Sequence, residues 1–503
     1  MTDKNKLNQR RHLHHFMLAG TGSDVGKSVL TAAFCRILKQ DGFHPAPFKA
    51  QNMALNSYVT PDGLEIGRAQ AAQAEAAGIP CHVDMNPLLL KPNSDCQSQV
   101  VLNGRPIGNS SAYEYFKREG REYLRKEVHA AFDRLSARYS PIVLEGAGSL
   151  AELNLQDVDL VNMPMARYAS ADVFLVADID RGGVFASAYG SIMLQRPEYK
   201  SLIKGIIINK FRGDIKLFED GVSLMERICG VPVLGVIPYF NDIHIDDEDS
   251  VVLEGKADRH MDGKVNVAVI RLKHLSNFTD FDVLEHDPGI HLFYTDDSAE
   301  LSYADLIIVP GSKTTLEDLA EIKRNGVADA IVSASRRGVK VLGICGGYQM
   351  MGEEVTDPDG VESGISRISG LGLLPVKTVL TGKKVTRQVT FTLSGSDAVC
   401  EGYEIHMGQT VFTDSDAQPL CRLSDGQADG CMVSTNCMGT YIHGILDNAA
   451  FRSRLLGSLL KDGLHVQTDY HSYKEREYDR LARFVRQHID MDLFYRIISG
   501  EQE

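Results

Sequence analysis

Phe16-Met17-Leu18-Ala19-Gly20-Thr21-Gly22-Ser23-Asp24-Val25-Gly26-Lys27-Ser28 is an apolar run that breaks into a glycine-rich turn and opens a helix-length segment, Lys27 to Gln40. Strand, tight turn and helix in that order form the opening unit of a parallel α/β sheet. The turn also gathers backbone N–H groups, a helix N-terminus, a lysine and a hydroxyl at the end of a strand, where open α/β sheets hold their ligands. Glycines let the N–H groups turn toward phosphate oxygens, Lys27 can reach terminal phosphates, and Ser28 can ligate Mg²⁺. The expected ATP contacts are Gly20, Thr21, Gly26, Lys27 and Ser28. One residue more separates Gly20 from Gly26 than the pattern G-x-x-x-x-G-K-S/T allows.

The same grammar recurs through the first half. Ile142 to Leu144, Val173 to Ala177, Ile206 to Ile208 and Val233 to Ile237 are short apolar runs separated by helix-length segments such as Tyr113 to Tyr139. Buried parallel strands alternating with helices predict a doubly wound sheet. The residues ending these strands are then the chemical candidates: Glu145 as a second Mg²⁺ contact, Asp178, Asp180 and Arg181 toward nucleotide, metal or activated substrate, and Asn209 with Lys210. Between 241 and 264 the chain turns polar and acidic, with nothing to bury, which marks a linker. Apolar runs resume at Val265 to Leu272, Leu306 to Val309 and Val339 to Ile344. The expected organisation is a basic tail over 1–15, an ATP-dependent domain over 16–240, a linker over 241–264, and a second doubly wound α/β domain over 265–503.

In the second domain an apolar strand runs into Gly343-Ile344-Cys345-Gly346-Gly347-Tyr348-Gln349 and then a helix. Small residues on both sides of a thiol permit the strained turn that exposes a nucleophile, and the next N–H can donate to an oxyanion. Gly439-Thr440-Tyr441-Ile442-His443 ends a later strand in a candidate general base, and Ile307-Ile308-Val309-Pro310-Gly311 ends an earlier one in a candidate second oxyanion donor.

Bulk properties exclude several classes. Among 503 residues, 53 Lys and Arg against 67 Asp and Glu give a net charge of −14, with no basic run long enough to track nucleic acid. No segment has the length of a membrane span. Nine scattered cysteines without a CxxC pair suit a reducing cytoplasm. His12, His14 and His15 sit in a polar terminus that reads as frayed and solvent-exposed rather than as a metal site.

Three resemblances follow from these residues. The loop G-T-x-x-x-x-G-K-S resembles the dethiobiotin synthetase-like branch of P-loop proteins, whose members phosphorylate carboxylates or carbamates. It implies adenine recognition by Asn209 and Lys210, while Gly22 stands where partition-type ATPases of that branch carry a lysine. Gly311, the Cys345 turn and His443 together resemble the class I glutamine amidotransferases. That likeness implies a glutamyl thioester on Cys345, proton shuttling by His443, an oxyanion hole at Gly311 and Gly346, and Gln349 lining the glutamine pocket. Most class I domains continue His-Pro-Glu, whereas Gly444 and Ile445 follow His443 here, so the usual carboxylate that orients the histidine is missing from its place.

The fusion of both domains resembles the cobyrinic and cobyric acid amidating enzymes, and Ala46-Pro47-Phe48-Lys49-Ala50-Gln51-Asn52-Met53-Ala54-Leu55-Asn56-Ser57 is similar to the A-P-F-K-x-Q-N-M-x-L-N-S signature of the cobyric acid synthase family, as is Asn86-Pro87-Leu88-Leu89-Leu90-Lys91-Pro92. This resemblance implies a corrinoid substrate met by Lys49, Gln51, Asn52 and Asn56, with Asp180 and Arg181 nearby. It also implies ATP and Mg²⁺ as cofactors, glutamine as nitrogen donor, and cobalt carried by the substrate rather than by a protein ligand. The rival expectations are an a,c-diamide synthase of the same pathway and a nucleotide-switched scaffold ATPase with an inactive amidotransferase-like domain.

Overall fold

The computed structural model describes residues 13–94, 97–111, 118–240, 242–245, 260–460 and 469–501. Most of the expected basic tail, with His12, and the centre of the acidic linker lie outside the described residues.

The first unit is a six-stranded sheet built from β1 (Phe16–Gly20), β2 (Ala46–Phe48), β3 (Ile142–Glu145), β4 (Asp172–Asp178), β5 (Ile203–Phe211) and β6 (Val233–Pro238), in the order β6-β5-β4-β1-β3-β2. Every neighbouring pair is parallel. Because side chains alternate across a strand, β1 sends Phe16 and Leu18 to one apolar cluster and Met17 and Ala19 to another. Leu30, Phe34 and Ile37 of α1 (Lys27–Gln40) fill the first, and Val128, Phe132 and Leu135 of helix Arg118–Ser136 fill the second. Both faces are covered, which is why the strands are apolar throughout rather than alternating.

Between β2 and β3 the chain makes an excursion. Gln51–Met53, Leu88–Ser94, Gln97–Leu102 and Arg105–Ser111 form a four-stranded sheet, and Ser57–Val59 pairs with Glu65–Gly67 in a short hairpin. This hairpin lies against the second unit: Gln388 donates to Val59 O at 2.6 Å and Tyr403 to Ser57 O at 3.4 Å.

The second unit has its own sheet, with β7 (Val265–Ile270), β8 (Ile290–Thr295), β9 (Leu306–Val309), β10 (Lys340–Ile344), β11 (Cys431–Ser434) and β12 (Cys437–Thr440) in the order β8-β7-β9-β10-β12-β11. Only the β11 edge runs antiparallel. Beside it stands a feature that the α/β expectation does not contain, a long antiparallel pair, Val376–Leu393 with Val399–Phe412. At its start Val376, Thr378 and Leu380 are buried while Lys377 and Val379 are exposed, the period of a sheet with one dry face. Its second strand pairs with Ile442–His443, opposite Tyr403, and so delivers the histidine.

The residues after 469, read from sequence as the end of the second domain, pack on the first. Leu481, Ala482 and Val485 of α3 (Tyr470–His488) and Phe494 and Ile498 of α4 (Met491–Ile498) join the cluster of Phe16 and Phe34. Phe494 lies 5.2 Å from Phe16 and 4.8 Å from Phe34 between ring centroids, and Arg36 Nε donates to Asp479 at 2.7 Å. His14 and His15, expected to fray, are tied down at the same place. His14 N donates to Ile498 O at 2.6 Å, and His15 Nδ1 accepts from Ile142 N at 3.0 Å. Among the described residues no helix is long and apolar enough to cross a membrane.

Candidate active sites

The phosphate loop sits where β1 meets α1, at the mouth of a cavity of about 1090 Å³. Lys27 Nζ is held across the loop by the carbonyls of Gly22, at 2.8 Å, and Gly148, at 3.0 Å. Ser28 Oγ donates to Glu145 Oε1 at 2.8 Å, and Lys49 Nζ reaches the same oxygen at 2.9 Å. Gln73, which no sequence signal singles out, donates to the other carboxylate oxygen at 2.6 Å. Glu145 is 1% exposed, and these three donors hold its charge in place. The loop itself depends on Gly26, whose φ of 96° suits glycine and whose added Cβ would lie 2.2 Å from Asn209 Nδ2.

Asn209 donates that amide to Val25 O at 2.8 Å, and Lys210 pairs with Asp178 at 3.1 Å while also bonding Asp24 O. Both residues border the cavity, and these bonds brace the loop from beneath. Lys49, Gln51 and Asn52 line the cavity as well. Asn52 is 2% exposed and donates to Gln70 Oε1 at 3.0 Å. Arg181 reaches the rim, 3.9 Å from Asp24, whereas Asp180 turns to Arg212 Nε at 2.6 Å.

Asn56 stands elsewhere. Its Oδ1 accepts from Phe278 N at 3.1 Å, while Asn277 Oδ1 accepts from Ser57 N at 3.1 Å, and the two asparagines are 1% and 3% exposed. Asn56, expected at the corrinoid, lies at a seam between the units, where each buried amide accepts from the other unit's backbone.

A second cavity holds Cys345, Gly346, Gln349 and His443. Cys345 ends β10 and caps α2 (Gly346–Met351) with φ 53° and ψ −109°. A positive φ on a residue with a Cβ is strained, and here it turns the thiol out of the sheet edge. Gly347 makes the turn possible, since an added Cβ would fall 1.8 Å from Val309 O. Gly311 lies beside the histidine, its own Cβ position 3.4 Å from His443 Cε1. Gln349 is 2% exposed, with its amide between Thr315 Oγ1 at 3.1 Å and Tyr441 OH at 3.3 Å.

The carboxylate absent after His443 comes from another element. Asp280 Oδ2 lies 2.6 Å from His443 Nδ1, and Asp280 Oδ1 accepts from Gly444 N at 2.9 Å. The side chains of His443 and Asp280 are 2% and 3% exposed, and Tyr403 stacks on the imidazole. Burial pulls the imidazolium down, but Asp280 and the Cys345 sulfur outweigh it and push His443 up to about 10. The arrangement sets a charged imidazole beside the Cys345 sulfur, with Asp280 as a positioning residue. Asp280→Asn is expected to lower the kcat of glutamine hydrolysis about 10²-fold. Without the carboxylate the imidazolium loses its proton at lower pH, so the alkaline limb of the pH–rate profile moves toward neutrality. A mutant profile superimposable on the wild type would remove Asp280 from this role.

Comparison with known proteins follows the same division. Residues 16–251 match the CobQ/CobB/MinD/ParA nucleotide binding domain and residues 266–451 the CobB/CobQ-like glutamine amidotransferase domain. The chain is 66% identical over 490 residues to the cobyric acid synthase of Bacteroides fragilis, covering 97% of this chain and 99% of that one. It is 64% identical to that of Phocaeicola vulgatus, with 98% and 99% covered, and 56% identical to that of Parabacteroides distasonis, with 98% and 100% covered. Such coverage means that the fusion itself is shared, and not one domain alone.

Proposed function

The chain belongs to the cobyric acid synthase family, and from that premise we propose that it converts four side-chain carboxylates (b, d, e and g) of adenosylcobyrinic acid a,c-diamide to amides, yielding adenosylcobyric acid. The observation that carries this reading is the pairing of two cavities in one chain. One has a phosphate loop and room beyond a nucleotide for a large acceptor, and the other a Cys345–His443–Asp280 constellation. Phe278, His286 and Tyr294 of the second unit border the first cavity and add aromatic surface suited to a macrocycle.

A carboxylate is a poor electrophile because its leaving group would be oxide. Transfer of the ATP γ-phosphoryl group to the carboxylate releases ADP and makes an acyl phosphate, and ammonia then displaces phosphate to give the amide. Lys27 supplies the charge that steadies the transferring group. Ser28 and Glu145 present oxygen ligands beside the phosphate loop, a donor set that fits Mg²⁺. When bound, the ion would neutralise phosphate charge. At the other site Cys345 attacks the side-chain amide of glutamine, His443 gives its proton to the departing ammonia, and water with His443 as base frees glutamate from the thioester. Cobalt enters as part of the substrate. The free cysteines of the described residues suit a cytoplasmic setting.

Given the a,c-diamide, ATP, Mg²⁺ and glutamine, the enzyme is expected to release four ADP and four glutamate for each corrinoid consumed. Carboxylates spread around a ring cannot all meet one acyl-phosphate site in a single pose, so the substrate must leave and rebind. Partly amidated intermediates should therefore appear free in solution, separable by chromatography because each step removes one negative charge. Amidation of cobyrinic acid at two positions, with the a,c-diamide ignored, would replace this reading by that of the a,c-diamide synthase.

A further inference from the structure

Five charged side chains cluster at the Cys345 cavity, Lys91 and Glu65 buried and the other three half-buried. Lys313, Lys384 and Glu362 belong to the second unit, whereas Lys91 reaches in from the first. Glu65, also of the first unit, takes Lys91 at 2.7 Å on one oxygen and Lys384 on the other. The two lysines outweigh the penalty of burial and hold its carboxyl well below the usual range. That trio is internally matched except for one positive charge. Lys313 is different, because its Nζ donates at 3.2 Å to a neutral amide, Gln99 Oε1 of the first unit. Glu362 accepts from the backbone N of Thr315 at 2.9 Å.

Resting on the glutaminase reading above, we propose that Lys313 receives the α-carboxylate and Glu362 the α-ammonium of glutamine, so that the site selects the free amino acid by its zwitterion. Three ammonium groups against two carboxylates leave this wall positive by one, which suits a ligand whose carboxylate enters first. Burial, with Lys91 and Lys384 close by, pulls Lys313 down to about 8, and burial pushes Glu362 up to about 7 against the pull of Lys313. A zwitterion between them supplies each with the opposite charge at short range.

The cavity is narrow, about 50 Å³, little more than the space of one or two waters. Glutamine must therefore displace something, and the bond from Lys313 to the neutral Gln99 amide is cheaper to exchange than the ion pairs of Glu65. Because Gln99 and Lys91 belong to the synthetase unit, glutamine entry trades a bond across the seam for one to the substrate. Peptide-bound glutamine lacks both free charges.

The test is steady-state kinetics on the full-length enzyme. Glu362→Gln and Lys313→Met are each expected to raise KM for glutamine by about ten- to a hundredfold while kcat changes less than about threefold. With 4-carbamoylbutanoate, which lacks the α-ammonium, Glu362→Gln should perform as wild type does. With 4-aminobutanamide, which lacks the α-carboxylate, Lys313→Met should do so. Amidation supported by ammonium chloride reports that each variant is folded. A fall in kcat at unchanged KM, or equal losses with all three amides, overturns the assignment. A wild-type enzyme that fails to hydrolyse glutamine overturns the glutaminase reading instead.

Discussion

Cys345→Ala abolishes glutamine-supported amidation, by about 10⁴-fold or more, while ammonium chloride continues to support it. A nucleophile has no substitute in a covalent mechanism, and its loss costs about as much as losing the whole constellation. The acceptor chemistry is untouched because it occupies the other cavity, where Lys27, Ser28 and Glu145 lie. The measurement is corrinoid amide formation with each nitrogen source, at saturating ATP. Alanine also suits the position sterically, because the strained φ of 53° at residue 345 is tolerated no worse by a smaller side chain. Equal loss with both nitrogen donors would argue against two separable sites.

Lys27→Ala should act the opposite way, lowering ADP formation and amidation about 10³-fold with either donor while leaving basal glutamine hydrolysis measurable. The ammonium bridges the carbonyls of Gly22 and Gly148, so its removal costs the loop an internal clamp as well as its charge toward phosphate. A Lys27→Arg variant separates the two effects, since it keeps the charge but cannot reproduce the compact point geometry. ADP release that survives in Lys27→Ala would mean that phosphoryl transfer does not depend on this loop.

What could be read in the sequence was local. The phosphate loop and the Cys345 turn are each one contiguous strand, turn and helix, and their chemistry lies within a dozen residues. Glu145 ends an apolar strand of the parallel sheet, so the sheet rule places it at the ligand edge without any knowledge of neighbours, and His443 follows three residues beyond the end of another such strand. Asp280 escaped because it sits 163 residues from His443, in the short turn Phe278–Phe281, with no period or motif to connect them. It lies in the first crossover of the second sheet, between Val265–Ile270 and Ile290–Thr295. Asn56 stands apart from the other expected substrate contacts for a related reason. An amide in a loop looks the same whether it faces a ligand or a neighbouring domain, and only the docking of hairpin Ser57–Val59 on the second unit decides between them. In the same way, the spacing of Tyr478, Leu481, Ala482 and Val485 announces a helix with one apolar face, but says nothing of which sheet that face will cover.

The return of α3 and α4 to the first sheet has a consequence for how the molecule is made. Phe16 is synthesised long before its partner Phe494, with the whole second unit translated between them. The nascent amino-terminal sheet therefore carries an uncovered apolar face, Phe16, Phe34 and Phe174, throughout translation of everything between, a surface of the kind that holdase chaperones shield. The amidotransferase unit, contiguous in sequence, can complete its own core earlier. Birth order and order of completion are thus reversed, since the core begun earlier is completed later, when Phe494 and Ile498 reach it.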